Sequence, residues 1–133
     1  MKTLFADTSY YLAVLNENDE FHERAIELTA AASARLITTT WVLTEVADAL
    51  SRPPARRLVK PFVGDLRADR TVTIVPADDA LFEAGLELFA RRLDKAWSLT
   101  DCISFVVMKR RRLGEALSSD HHFEQAGFRP LLA

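Results

Sequence analysis

Hydrophobic positions along the chain follow two spacings, which alternate from one end to the other. Short apolar runs are typical of buried strands, and the clearest is the β-branched stretch Val72–Val75 before Pro76. They predict strands at residues 4–6, 36–38, 72–75, 115–118 and 128–131, and Pro130 marks the last as a sheet edge. Between the strands, apolar residues recur at helical spacing in segments 10–15, 21–29, 41–51, 55–68, 79–93 and 98–109. The alternation predicts an α/β fold, a small and mostly parallel sheet flanked by helices, in one domain over residues 1–133.

The helix predicted at 98–109 is apolar on nearly all sides over residues 102–108, so we expect it to be buried. Ser98 or Thr100 can cap it, because a hydroxyl satisfies backbone N–H groups of the first turn. Its end carries four cations suited to the negative end of the helix dipole: Lys109, Arg110, Arg111 and Arg112. Gly114 is predicted to end it. A carboxylate, Asp101, therefore lies at the start of a buried helix.

Two further carboxylates follow predicted strands. Asp7 comes directly after the first strand and Asp120 just after the strand at 115–118, and ligands of open parallel sheets bind beyond these carboxyl ends. Each acid also has a purely structural interpretation, since Asp7 and Asp120 are suited to cap the next helix or turn. The spacing of Ser98 and Asp101 likewise resembles a capping box.

Glu45 lies at the margin of an apolar helix stripe. Val42, Val46, Ala49 and Leu50 define that stripe, and at about 100° per residue Glu45 falls beside Ala49. An acid at the edge of a core loses hydration unless it is paired or binds a cation. The alternative is a side chain that reaches out to water.

Taken together, the four acids predict a site for a hard divalent cation. The sequence shows no obvious group of buried cations that would neutralise them, and clustered carboxylates repel one another unless a cation lies between them. Oxygen ligands without Cys or His favour Mg²⁺ or Mn²⁺. Thr8, Ser9 and Ser118 add hydroxyls suited to hold water around an ion, or to ordinary capping.

Composition narrows the class of protein further. The chain has 133 residues, of which 49% are hydrophobic, which favours one packed domain over disorder. The net charge of −2 means that any nucleic-acid binding must use a local basic patch. A single cysteine, Cys102, excludes an internal disulfide. Without an apolar run of membrane length or a leader-like N-terminus, we expect a cytoplasmic protein that makes no membrane contact.

Four short motifs in this order resemble the PIN domain, and specifically the VapC-type toxin ribonucleases. They are Phe5-Ala6-Asp7-Thr8-Ser9, Thr44-Glu45-Val46, Ser98-Leu99-Thr100-Asp101 and Leu117-Ser118-Ser119-Asp120-His121-His122-Phe123. The resemblance covers essentially the whole chain. It implies a PIN fold and Mg²⁺- or Mn²⁺-dependent cleavage of RNA, with Asp7, Glu45, Asp101 and Asp120 as the acidic quartet.

The resemblance also implies partners. The VapC-type toxins that this chain resembles form homodimers. They are inhibited by an antitoxin whose tail enters the acidic cleft. Candidate dimer surfaces are the apolar residues at 55–62 and 81–89 that helix packing does not use. Basic residues suited to bind RNA phosphates are Arg52, Arg56, Arg57, Lys60 and the run Lys109, Arg110, Arg111 and Arg112. Solvated helix faces give the same pattern of basic residues. His121 and His122 are interpreted as loop residues or RNA contacts rather than metal ligands.

Two other functions compete with this interpretation. A receiver-like phosphoacceptor module also places Asp after parallel strands, but it needs paired acids near the first strand, and residues 17–20 are too far from that strand's end. A catalytically inactive PIN scaffold that binds protein or RNA is the closer alternative. The full quartet favours the enzyme, since a scaffold has no reason to keep four converging acids.

Overall fold

Five parallel strands form a single sheet at the centre of the computed structural model, which describes residues 1–31 and 33–133. Along the chain the strands are β1 (Lys2–Ala6), β2 (Ala34–Thr39), β3 (Val72–Val75), β4 (Glu115–Leu117) and β5 (Arg129–Pro130). Their order across the sheet is β3-β2-β1-β4-β5, and every neighbouring pair is parallel. The predicted α/β class is confirmed, and Pro130 lies on an edge strand as expected.

Seven α-helices flank the sheet within the described residues. They are α1 (Thr8–Leu15), α2 (His22–Ala31), α3 (Thr40–Ala49), α4 (Val59–Ala68), α5 (Asp79–Arg91), α6 (Leu99–Arg110) and α7 (His121–Gln125). None of the helices in this part of the chain has the length and apolar character needed to cross a bilayer.

The helix predicted over residues 55–68 is divided in the structure. Ala55–Leu58 forms a 3₁₀ turn and α4 begins at Val59. Pro61 explains the division, because its ring would clash with the carbonyl four residues earlier, at Arg57, in a continuous α-helix. In the first turn of α4 the same proline is tolerated, because the backbone N–H groups of that turn have no intrahelical partner and a missing one costs no hydrogen bond.

Two further predictions are wrong in detail. Gly114 does not end α6, because the helix stops at Arg110 and the left-handed backbone conformation is that of Arg112, with φ of 57°. His121 and His122 do not lie in a loop, because both belong to α7, a five-residue helix with Asp120 as its N-cap.

The core forms around β1 and α6. Phe5, Ile103 and Met108 are fully buried, and Cys102 is a buried core residue as expected. Helix α5 crosses α6 at Gly85, where a Cβ atom would lie 2.3 Å from Cγ1 of Ile103. This close packing fixes α6 against the rest of the molecule.

The parallel sheet brings several helix N-termini to one edge. Strands β1, β2 and β4 all end there, and α1, α3 and α7 begin within a few residues of those ends. Thr38 at the end of β2 donates its hydroxyl to the carbonyl of Ala6, 2.9 Å away, which ties β2 to β1 at this edge. The predicted site therefore lies where the topology places it, beyond the carboxyl ends of the strands.

Candidate active site

A cleft of about 630 Å³ opens at the carboxyl edge of the sheet. All four predicted acids line it, together with the predicted supporting residues Thr8 and Ser9. The complete lining is Asp7, Thr8, Ser9, Leu12, Glu45, Asp48, Ala96, Ser98, Asp101, Asp120 and His122. Sequence positions more than a hundred residues apart therefore meet in one open cavity.

Asp7 is the most buried acid of the cleft, with 4% of its surface exposed. It is the N-cap of α1, and its Oδ2 accepts hydrogen bonds from the hydroxyls of Ser9 at 3.0 Å and Ser118 at 2.9 Å. Burial nevertheless raises the pKa of Asp7 from 3.8 to about 6, because the two hydroxyls compensate only part of the lost hydration. A carboxylate in such a place is poorly stabilised until a cation reaches it.

Ser118 links Asp7 to Asp120. Its hydroxyl donates to Asp7 and accepts from the backbone N–H of Asp120 at 3.0 Å. Ser9 makes the matching link, since its hydroxyl lies 3.2 Å from that of Ser118 and accepts from the N–H of Ser119 at 3.0 Å. The two serines thus orient the acids that follow β1 and β4. Their predicted role in holding water around an ion stays a prediction.

Glu45 reaches the cleft from α3 and is held there by Thr8. The Thr8 hydroxyl donates to Oε1 of Glu45 over 2.6 Å, across 37 positions of sequence. Partial burial raises the pKa of Glu45, and the neighbouring charge of Asp101 acts in the same direction. Of the two interpretations of this residue, the structure supports the one in which the side chain faces the other acids.

Asp101 and Asp120 each cap a helix and face the cleft at the same time. The backbone N–H of Asp101 donates to Ser98 Oγ at 3.0 Å, while Asp101 Oδ2 accepts from Ser98 N–H at 3.1 Å, which completes a capping box. Oδ1 of Asp120 accepts from His122 N–H at 2.9 Å. Burial raises the pKa of Asp101, and the charge of Asp120 contributes. Capping and site formation are therefore joint roles, since the cap fixes where each carboxylate points.

His122 is the residue of the cleft that the sequence interpretation missed. Its Nδ1 lies 3.2 Å from Oδ2 of Asp101 and 3.2 Å from Oδ1 of Asp120. His121 is largely exposed, and its Nδ1 is 3.8 Å from the same Asp120 oxygen. A short helix of five residues has too few turns to show a hydrophobic period. The available signal was Asp120 as a potential N-cap followed by the apolar Phe123.

No Lys or Arg side chain lines the cleft within residues 1–31 and 33–133. Arg56 and Lys60 line an adjoining cavity of about 350 Å³, which shares Asp48 with the cleft, and Arg57 lines a third cavity. Arg52 is exposed after the end of α3. The run Lys109, Arg110, Arg111 and Arg112 begins about 12 Å along α6 from Asp101, at the far end of that helix. The structure thus places Arg56 in a cavity that adjoins the cleft and leaves this run away from the acids.

The donor set of the cleft fits a hard divalent cation. Five carboxylates line it, no Lys or Arg among the described residues does, and burial already disfavours the charged form of Asp7, Glu45 and Asp101. Asp120, His121 and His122 each offer a potential ligand atom, and these three atoms lie within 4.8 Å of one another. Carboxylate oxygens are the donors that Mg²⁺ and Mn²⁺ prefer. Asp7, Glu45, Asp101 and Asp120 are therefore the residues suited to hold such an ion.

Comparison with known proteins agrees with this geometry. The family model of the PIN domain matches residues 4–129. The 23S rRNA-specific endonuclease VapC20 of Mycobacterium tuberculosis, in two strains, is 29% identical over 125 residues, which cover 94% of this chain and 95% of the relative. The crystal structure of Mycobacterium tuberculosis VapC20, described as a sarcin–ricin loop cleaving toxin, matches with a TM-score of 0.85 at 28% identity. That match covers 94% of this chain and 95% of the other.

Proposed function

The chain belongs to the PIN domain family, and on that basis we propose that it is a metal-dependent endoribonuclease and the toxin of a toxin–antitoxin pair. The observation that carries the proposal is the convergence of Asp7, Glu45, Asp101 and Asp120 on one open cleft, which no Lys or Arg of the described residues lines. Residues 1–133 act as one domain in this account. Its place of action is the cytoplasm, where ribosomal RNA is accessible.

Asp7, Glu45, Asp101 and Asp120 would hold Mg²⁺ or Mn²⁺ in the cleft. When bound, the ion supplies an acidified water as nucleophile and positive charge for the phosphate. The protein's own contribution is orientation: Thr8 fixes Glu45, while Ser9 and Ser118 fix Asp7. A side-chain nucleophile is not required, so the expected products carry a 5′-phosphate and a 3′-hydroxyl.

RNA is the substrate that the surroundings of the cleft fit best. Arg56 and Lys60 lie in the cavity next to the cleft, where they could bind phosphates of an RNA strand that extends beyond the acids. An exposed loop of RNA fits an open cleft of this kind better than a regular duplex, because its backbone can bend toward the acids. The similar protein VapC20 is named for 23S rRNA and for the sarcin–ricin loop, so this loop is the first substrate to test.

Homodimer formation is the second part of the proposal. On α5, three apolar side chains at helical spacing remain exposed, Phe82, Leu86 and Phe89, and Leu93 is exposed just after the helix ends. Phe82, Leu86 and Phe89 belong to the segment 81–89 that the sequence singles out, although Leu81 of that segment is buried. Segment 55–62 exposes only Leu58 among its large apolar residues. A stripe of this kind suits a second copy of the chain.

An antitoxin is the third part of the proposal. A peptide tail that carries Arg can pair bidentately with the carboxylates of the cleft, and an acidic group can take the place of the RNA phosphate. Either contact competes directly with substrate. We expect a small protein encoded beside this one to bind tightly and to inhibit.

The test is incubation of purified protein with ribosomal RNA and Mn²⁺ or Mg²⁺, followed by mapping of the cut site. Wild-type protein should cut at one or a few loop positions, and EDTA should abolish cleavage. Asp101→Asn should remove activity while the protein stays folded, because asparagine keeps the shape of the side chain but loses the ligand charge. Protein that binds RNA with either ion but never cuts it is instead the inactive scaffold.

A further inference from the structure

We propose that His122 is a nitrogen ligand of the catalytic ion and that the site therefore favours Mn²⁺ over Mg²⁺. The inference rests on the proposed function, since it concerns the ion of the same cleft. It adds an imidazole to a ligand set that the sequence interpretation limited to oxygens, and it chooses between the two ions that the carboxylates alone leave equivalent.

The position of the ring is the first argument. Nδ1 of His122 is equally distant, at 3.2 Å, from Oδ2 of Asp101 and Oδ1 of Asp120. Two adjacent ligands of an octahedral ion lie about 3 Å apart when each is about 2.1 Å from the ion. The imidazole nitrogen therefore has the spacing of a ligand to both carboxylates, which belong to different segments of the chain.

The ring is held in this place by the fold. His122 belongs to α7, and its backbone N–H is fixed by Asp120 at 2.9 Å. The next residue, Phe123, is fully buried and anchors α7, with its ring edge-on to Phe105 at a centroid distance of 4.9 Å. A rigidly positioned donor loses little freedom on metal binding, which favours its use as a ligand.

Ligand chemistry gives the preference between ions. Mg²⁺ takes oxygen ligands almost exclusively and keeps several of its waters. Imidazole is a ligand of first-row transition ions, and Mn²⁺ is the member of that series that also prefers carboxylate oxygens. With His122 among the ligands, Mn²⁺ gains a bond that Mg²⁺ uses poorly.

The competing interpretation is that His122 only donates a hydrogen bond to the two acids and so holds them together. His122→Asn separates the two roles, because an amide N–H₂ can replace Nδ1 as a donor but supplies no imidazole nitrogen. His121→Asn tests the neighbouring imidazole, which belongs to the same group of potential ligand atoms but is largely exposed.

The experiment measures Mn²⁺ and Mg²⁺ binding to the metal-free full-length protein by calorimetry, and the environment of bound Mn²⁺ by pulsed electron paramagnetic resonance. Wild-type protein should bind Mn²⁺ at least about tenfold more tightly than Mg²⁺ and show coupling to an imidazole ¹⁴N nucleus. His122→Asn should lose that coupling and about tenfold in Mn²⁺ affinity, with Mg²⁺ affinity changed less than threefold. His121→Asn should behave as wild type. Thermal unfolding in EDTA checks that each variant is folded.

Absence of ¹⁴N coupling in the wild type overturns the proposal, as does its loss in His121→Asn alone. An equal loss of affinity for both ions in His122→Asn also overturns it and assigns the histidine to positioning. In each of these cases, RNA cleavage that still requires a divalent ion keeps the proposed function intact. Wild-type protein that binds neither ion removes both claims together.

Discussion

Asp7→Asn should stabilise the metal-free protein while it abolishes activity. Burial raises the pKa of Asp7 from 3.8 to about 6, which means that the native state resists ionisation of this carboxyl. Each tenfold change in the ionisation constant is worth about 1.4 kcal/mol, so at pH 7 the ionised Asp7 lowers the free energy of unfolding by up to about 3 kcal/mol. Asparagine removes that charge, and its carbonyl oxygen can still accept from Ser9 and Ser118.

The expected gain for Asp7→Asn at pH 7 is about 1–3 kcal/mol, because the new amide N–H₂ group must find acceptors in a buried place. For a chain of this size the gain corresponds to a rise in Tm of about 3–10 °C. The assay is thermal unfolding in EDTA, followed by circular dichroism. Asp48→Asn is the matched control, since Asp48 lines the same cleft but is exposed, and it should leave Tm nearly unchanged.

The raised pKa of Asp7 also predicts how the stability of the metal-free protein changes with pH. Between about pH 4 and pH 6 the native state binds more protons at Asp7 than the unfolded state does, so the free energy of unfolding falls as pH rises. The raised pKa values of Glu45 and Asp101 act in the same direction. Wild-type protein in EDTA should thus be more stable at pH 5 than at pH 7, and Asp7→Asn should show a weaker trend.

Addition of a divalent ion should make the wild type more stable than Asp7→Asn. At one thousand times its dissociation constant, Mn²⁺ adds about 4.1 kcal/mol to the wild type, which exceeds the expected advantage of Asp7→Asn, whereas the variant binds the ion weakly and gains little. A variant that is less stable than wild type in EDTA at pH 7 would refute the reasoning. So would wild-type stability that rises from pH 5 to pH 7 in EDTA.

Three other predictions concern the site, the core and the assembly. Thr8→Val should lower kcat of RNA cleavage about 10- to 100-fold, because Glu45 loses the hydroxyl that orients it, whereas Thr8→Ser should keep most activity. Gly85→Ala should reduce the free energy of unfolding by about 1–3 kcal/mol in urea titrations, since its Cβ meets Ile103; an unchanged midpoint contradicts the close helix crossing. Leu86→Glu should convert a dimer to a monomer in analytical ultracentrifugation, and a wild-type monomer at high concentration removes the dimer proposal.

The sequence predicts much of the fold because local signals and topology agree. Alternating strand and helix patterns are sufficient for a parallel sheet, and the sheet itself brings the segments after β1 and β4 to one edge. Asp7 and Asp120 could be placed there from the ends of their strands alone. For Glu45 the sequence showed only a position at the margin of an apolar stripe and left two orientations open. The hydrogen bond from Thr8 shows that the side chain faces the cleft.

The remaining features depend on contacts that no local pattern records. His122 comes within 3.2 Å of Asp101 only because α7 packs against the core through Phe123, and a helix of five residues carries no period. The separation of the basic residues at 109–112 from the cleft, by contrast, already follows from the predicted helix, since Asp101 begins that helix and these residues end it.

The central claim is tested most directly by single-turnover cleavage of an RNA hairpin that carries the sarcin–ricin loop. The comparison is between Glu45→Gln and Asp48→Asn, two carboxylates one turn apart on α3 that line the same cleft. With Mn²⁺, wild type and Asp48→Asn should cut at rates within about threefold of each other, while Glu45→Gln should be slower by about a hundredfold or more. The products should carry a 5′-phosphate and a 3′-hydroxyl, and EDTA should stop the reaction. Cleavage that continues in EDTA, or at an undiminished rate in Glu45→Gln, would contradict the assignment of this cleft as a metal-dependent ribonuclease site.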